Sequence, residues 1–179
     1  MNYAIEQGHR DTANPVLPKF STLPSKRETG QAIRHQPAVP HERIGEALEI
    51  IASAQKAWRV TKLCLEFIVL TGTRSGEARN ATWSEFDLEK AVWTIPAERI
   101  KMGRRHLVPL STRVLEILNE ARAITGGQGL VFPSRQRREK ALSDNTLSKL
   151  MRERNVPSYV PGVPAVVHGF RSTLRVWLA

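Results

Sequence analysis

From residue 41 onward, apolar side chains recur at helical intervals in separate blocks, and the breaks between blocks mark where elements stop. Ile44, Leu48 and Ile51 follow Pro40 at spacings of three and four, which predicts a first helix. In the run from Leu63 to Leu70 every residue except Glu66 is apolar, the pattern of a helix buried on most sides, with Gly72 as its stop. The period then changes. Val92-Trp93-Thr94-Ile95 and His106-Leu107-Val108 are rich in β-branched and aromatic residues and flank a polar connection containing Gly103, so a β-hairpin is predicted. Ser111 can cap a helix carrying Val114, Leu118 and Ala121 on one stripe, halted at Gly126-Gly127. Ser143 can cap another, with Leu147, Leu150 and Met151 facing inward. Beyond the proline-rich stretch 157–164, a last helix puts His168 and Arg171 one turn apart on one face and Phe170, Leu174 and Trp177 on an apolar stripe. The expected class is α+β, mainly α-helical, with a small antiparallel β-hairpin or sheet.

Ahead of residue 41 the periodicity fails. Residues 1–14 read as the tail of a helix, stopped at Gly8 and broken at Asn14-Pro15. Residues 15–40 carry prolines at 15, 18, 24, 37 and 40 with scattered charge and no sustained period, the composition of a linker. Residues 41–179 remain as one core-bearing domain, a size consistent with a chain of 179 residues.

Charge narrows the partner. The chain has 27 Lys+Arg against 17 Asp+Glu, a formal net charge of +10, which favours a polyanion. A membrane is disfavoured, because no run of about 18 apolar residues occurs and the N-terminus lacks the order of a secretion signal. Cys64, the single cysteine, lies inside the apolar run and is expected to be a buried, inert thiol. A cytoplasmic location follows from these absences.

Candidate chemistry gathers at three places. Arg74 follows the buried run where Gly72 ends one helix and Ser75-Gly76-Glu77 can start the next, which would set a guanidinium fork near a helix start. Glu77 either orients Arg74 or makes an ordinary surface pair with it, contributing only about 0.5 kcal/mol. Lys101 precedes the hairpin's turn glycine, as a reaching cation or a solvated one. His168 and Arg171 form an HxxR pair, which alone is weakly specific. The Arg135 to Lys140 segment is either a phosphate-contacting loop or a solvated one; Glu85, Asp87 and Glu89 read as a polar loop edge, and Trp58, Trp83, Trp93 and Trp177 as core.

The joint pattern is more specific than its parts. Arg74, Lys101, His168 and Arg171 stand 27, 67 and 3 residues apart, in the contexts helix end, hairpin and helix start. With the flanking Trp83-Ser84-Glu85-Phe86-Asp87-Leu88, Val108-Pro109-Leu110-Ser111, Val131-Phe132-Pro133-Ser134 and Leu142-Ser143-Asp144-Asn145, the chain over about 41–179 resembles the catalytic domain of the tyrosine recombinases, the phage-integrase family, in particular integrases of bacterial genomic islands. The resemblance implies a DNA integrase and site-specific recombinase. In that chemistry Arg74 and Arg171 clamp a phosphodiester, Lys101 protonates the departing 5′ oxygen and His168 assists proton transfer. It further implies no metal or other cofactor, double-stranded DNA as partner and other integrase protomers beside it. One departure accompanies it: the family's nucleophilic tyrosine follows HxxR by some tens of residues, whereas Tyr3 and Tyr159 both precede His168. The expectation is therefore a catalytic domain incomplete at its C-terminus, preceded by a remnant of a helical core-binding domain at 1–14 and inactive on its own. Two alternatives stand beside it: a non-enzymatic DNA-binding or regulatory protein that retains the fold, and a basic helical RNA-binding protein whose tetrad is accidental.

Overall fold

The computed structural model describes residues 36–100 and 103–178. The expected helix tail at 1–14 and the linker up to residue 35 lie outside the described residues. The regular elements are α1 (Ile44–Ala52), α2 (Arg59–Thr71), α3 (Ser75–Arg79), β1 (Phe86–Asp87), β2 (Val92–Ile95), β3 (His106–Pro109), α4 (Thr112–Thr125), α5 (Asp144–Glu153) and α6 (Gly169–Trp177). Short 3-10 turns cover His41–Arg43, Trp83–Glu85 and Ala97–Arg99. The fold is thus mainly helical with one small antiparallel sheet.

α2 is the central helix, because its apolar residues leave almost no polar face. Val60, Leu63, Cys64, Leu65, Phe67 and Ile68 are all buried, and α1, α3, α4, α5 and α6 pack around it. Burial also pushes the Cys64 thiol up, away from the reactive thiolate. Phe67 meets Trp93 and Phe132 with ring centroids 5.2 Å apart in each case, and Phe86 stacks on Trp93 at 5.4 Å. Each such side chain contributes about 1.5–3 kcal/mol of burial, so this aromatic cluster fastens the sheet to α2.

The sheet has the order β1-β2-β3, antiparallel throughout. Trp93 pairs with Phe86 on one side and Val108 on the other. The hairpin is as its sequence predicted; β1, two residues long, was not. It forms because Glu85 is no loop edge: its carboxylate accepts a 2.8 Å bond from the Trp93 indole Nε1 and a second from Arg99, which holds the 83–87 segment against β2.

The caps behave as their residues dictate. Ser111 and Ser143 Oγ accept from Val114 N and Thr146 N at the starts of α4 and α5, and Gly126 closes α4 in the left-handed conformation at φ 89°. α6 differs from its predicted stripe. Phe170 and Thr173 face the core and Leu174 lies on Gly72, but Trp177 is 65% exposed. Periodicity placed Trp177 in line with Phe170 without showing that the layer beneath the helix ends a turn earlier. Trp93 and Trp83 are core and Trp58 is half-buried.

The far end of the expected linker is part of the domain. Ala38 and Val39 are buried, and residues 37–39 cross α6 and the loop before it. Pro37 O accepts from Val166 N at 3.0 Å, Ala38 O from Tyr159 N at 2.9 Å, and Val39 O from the Thr173 hydroxyl at 2.5 Å. Gly169 permits the crossing: a Cβ there would stand 2.3 Å from Pro37 O.

Candidate phosphate-binding site

Gly72, at φ 60°, ends α2 and turns the chain through Thr73 into Arg74. Arg74 is extended (φ −72°, ψ 146°) at the N-terminus of α3. Its backbone N–H donates to Glu77 Oε2 at 2.8 Å and its Nη1 donates to Glu77 Oε1 at 2.6 Å. The Glu77 side chain is 8% exposed against 50% for Arg74. Of the two sequence readings of this pair, the orienting one holds: a buried carboxylate grips the backbone and one edge of the guanidinium, while the rest of the fork faces outward.

Arg171, in the first turn of α6, donates from Nη1 to Gly72 O at 2.5 Å. It is therefore tied to the same turn that presents Arg74. His168 is exposed just ahead of α6 and shares with Arg74 a cavity of about 360 Å³, whose wall also includes Gln36, Ser75, Asp144 and Ser148. Arg171 is not among the lining residues. Of the four candidates, then, Arg74 and His168 line one cavity, Arg171 bonds the turn that leads into Arg74, and Lys101 lies outside the described residues, as does Tyr3. Tyr159 is exposed in the 157–164 loop and does not line the cavity.

The cavity's far wall is stitched to α3. Ser75 Oγ donates to Asp144 Oδ1 at 2.7 Å, and Arg79 donates to Leu142 O at 2.7 Å and to Ser75 Oγ at 3.1 Å. Asp144 appeared in sequence only as part of a flanking motif; Gln36, inside the proline-rich stretch, gave no signal at all.

A second, larger groove of about 1150 Å³ opens on the other side of the α5 start. Lys56, Arg135, Arg137, Lys140, Lys149 and Arg154 line it, with Glu153 as the opposing charge. Residues Arg135 to Lys140 are all exposed. A wall in which basic side chains outnumber the single acid favours an anionic partner.

These features define a protein that presents an arginine and a histidine at a cavity beside a basic groove, with a second arginine bonded to the turn ahead of the first. The chain belongs to the phage integrase family, whose model matches residues 39–179. It is 33% identical over 187 aligned residues to the integrase of Enterobacteria phage P4, covering 98% of this chain and 40% of that protein. It is 34% identical over 184 residues to IntB of Escherichia coli strain K12, covering 96% and 44%. Among solved structures, a lambda integrase dimer bound to a COC' core site matches at TM-score 0.64 and 26% identity, over 96% of this chain and 46% of that one. The chain thus spans about two-fifths of the length of these curated relatives. No helix among the described residues is long and apolar enough to cross a membrane.

Proposed function

We propose that this chain binds double-stranded DNA and supplies the phosphate-activating groups of a site-specific recombinase of the integrase type. Arg74 carries the proposal: its guanidinium is fixed on one edge by a buried glutamate and offered on the other to a cavity shared with His168. An anionic phosphodiester is the complementary ligand, because a preset fork makes charge-assisted bonds with little further ordering. In this reading Arg74 and Arg171 hold the non-bridging oxygens, His168 moves a proton to or from the attacking oxygen, and Lys101 protonates the departing 5′ oxygen. DNA continues along the basic groove of Lys56, Arg135, Arg137 and Lys140, where backbone phosphates would meet exposed cations. The similar lambda integrase structure, a dimer bound to a COC' core site, supports DNA and further integrase protomers as partners.

The proposed nucleophile is not Tyr159, which is exposed away from the cavity lining. Incubation with a nicked suicide substrate and denaturing electrophoresis tests this directly. No covalent protein–DNA band is expected from this chain alone, and a band lost on Tyr159→Phe would overturn that assignment. RNA is the competing polyanion. Tighter binding to an RNA duplex than to DNA of the same sequence would replace this reading with an RNA-binding one.

A further inference from the structure

Between Arg74 and the hairpin lies an unbroken run of polar contacts that the proposed chemistry does not use. The Trp93 indole donates to Glu85 Oε2 at 2.8 Å, and Glu85 Oε1 accepts from Arg99 Nη1. The other arm of Arg99, Nη2, donates to the backbone carbonyl of Glu77, whose own carboxylate holds Arg74. We infer that Arg99 is a positioning residue: its two arms lock the helix that orients Arg74 to the base of the connection that runs on to Lys101, two residues further along the sequence. The inference rests on the phosphate-binding role proposed for Arg74.

Three observations carry it. Arg99 reaches two acceptors on different elements, and a planar fork with separate N–H arms spans both at once, whereas a lysine ammonium is a single flexible point of charge. The position of its Glu85 partner is fixed in turn, since that carboxylate is 10% exposed and anchored by Trp93, a fully buried side chain paired on both edges of β2. Finally, Arg99 acts on Glu77, the one residue that holds both the backbone and the side chain of Arg74. A simple counter-ion for Glu85 would need no bond to Glu77 O. With that bond, a shift of the 97–99 turn moves α3, and Arg74 keeps a fixed position relative to the sheet.

The Arg74 guanidinium reports on this without any ligand. In ¹⁵N–¹H spectra of the side chain, wild type should show a slowly exchanging Arg74 Nη signal from its bond to Glu77. Arg99→Ala should broaden or remove it, and Arg99→Lys should do the same while still neutralising Glu85. Thermal melts of both variants separate this from loss of fold, and Arg113→Lys, whose partners lie on α2 and α4, should leave the Arg74 signal untouched. An Arg74 signal unchanged in folded Arg99→Lys overturns the inference. A second arm uses a short fluorescent DNA duplex. If Arg74→Ala weakens binding about tenfold in wild type but less than about threefold in the Arg99→Lys background, the two residues act as one unit. Full additivity contradicts the inference and leaves the DNA reading intact; if Arg74→Ala has no effect even in wild type, the DNA reading fails while the spectra still decide the role of Arg99.

Discussion

Between α2 and α4, Arg59 pairs with Glu120, and Arg113 with Glu66 and Glu116; around α3, Arg74 pairs with Glu77 and Arg99 with Glu85. Both sets are bidentate or shared arginine–glutamate contacts, and bond lengths alone do not separate them. Burial of the acid does. Arg59 and Glu120 are 40% and 37% exposed, so water competes for both partners and the pair adds at most about 1 kcal/mol. Glu77 and Glu85 have lost their water, and their remaining lone pairs are taken up by a backbone N–H and an indole. A carboxylate in that state has one low-energy arrangement, and whatever it holds inherits that geometry. The first set fastens two helices, while the second aims a guanidinium.

The largest effect is expected where the site's own backbone is most crowded. Gly169→Ala drives a Cβ to 2.3 Å from Pro37 O and 2.8 Å from Ala38 Cα, so either α6 or the 37–39 strap must move. We expect a loss of about 3 kcal/mol by denaturant unfolding, the upper end for overpacking, with weakened DNA binding in any fraction that stays folded. A stability change below about 0.5 kcal/mol would show that the strap is loose and that the site side is no more ordered than the α2–α4 side.

Glu77→Ala comes next. It strips Arg74 N–H of its partner and frees the guanidinium, costing about 2 kcal/mol, a fall in melting temperature of about 4–8 °C for a chain of this size. Glu77→Gln, which keeps shape and loses charge, should recover part of the stability and little of the DNA affinity. If Glu77→Ala behaves like a surface mutation, the distinction between the two arginine–glutamate sets is lost.

On the α2–α4 side the effects should be small and salt-sensitive. Arg59→Ala is expected to cost less than about 1 kcal/mol and to leave DNA affinity unchanged. Its pH dependence has a definite sign. The Arg59 hydrogen bond holds the Glu120 carboxyl below the usual carboxylate range. The pair therefore contributes above the unfolded carboxylate value and loses that contribution as the pH falls through the lowered folded value. The stability gap between wild type and Arg59→Ala should be full at neutral pH and close in acid; a gap that widens in acid would contradict the pairing.

Much of this was legible in the sequence because it is local. α2 showed itself by an apolar run with one acid in it, α4 and α5 by a serine cap and a stripe, and the hairpin by its β-branched residues. Arg74, His168 and Arg171 were singled out as candidates by spacing and flanking motifs, and the structure brings Arg74 and His168 to one cavity. What stayed hidden depends on partners distant in sequence. Glu85 reads as a loop acid until Trp93 and Arg99 are seen to bind it, and Arg99 reads as one more surface cation beside Lys101. β1 is two residues long, too short for any period. Ala38 sits in a proline-rich stretch whose composition says linker, yet its burial depends on Gly169, 131 residues later, which has no Cβ to keep it out. Trp177 is the reverse case, an apolar residue on the right stripe with no layer beneath it.

The central claim is that Arg74, held by Glu77, is offered to DNA phosphate, and duplex binding across a salt series tests it most directly. Wild type should bind a mixed-sequence duplex with a dissociation constant on the order of 1–100 μM at physiological salt, tightening as salt is lowered. Arg74→Ala should weaken binding and reduce the slope of log affinity against log salt by about one, the loss of one phosphate contact. Binding indifferent to salt, no binding at low salt, or an Arg74→Ala line superimposed on wild type would contradict the account.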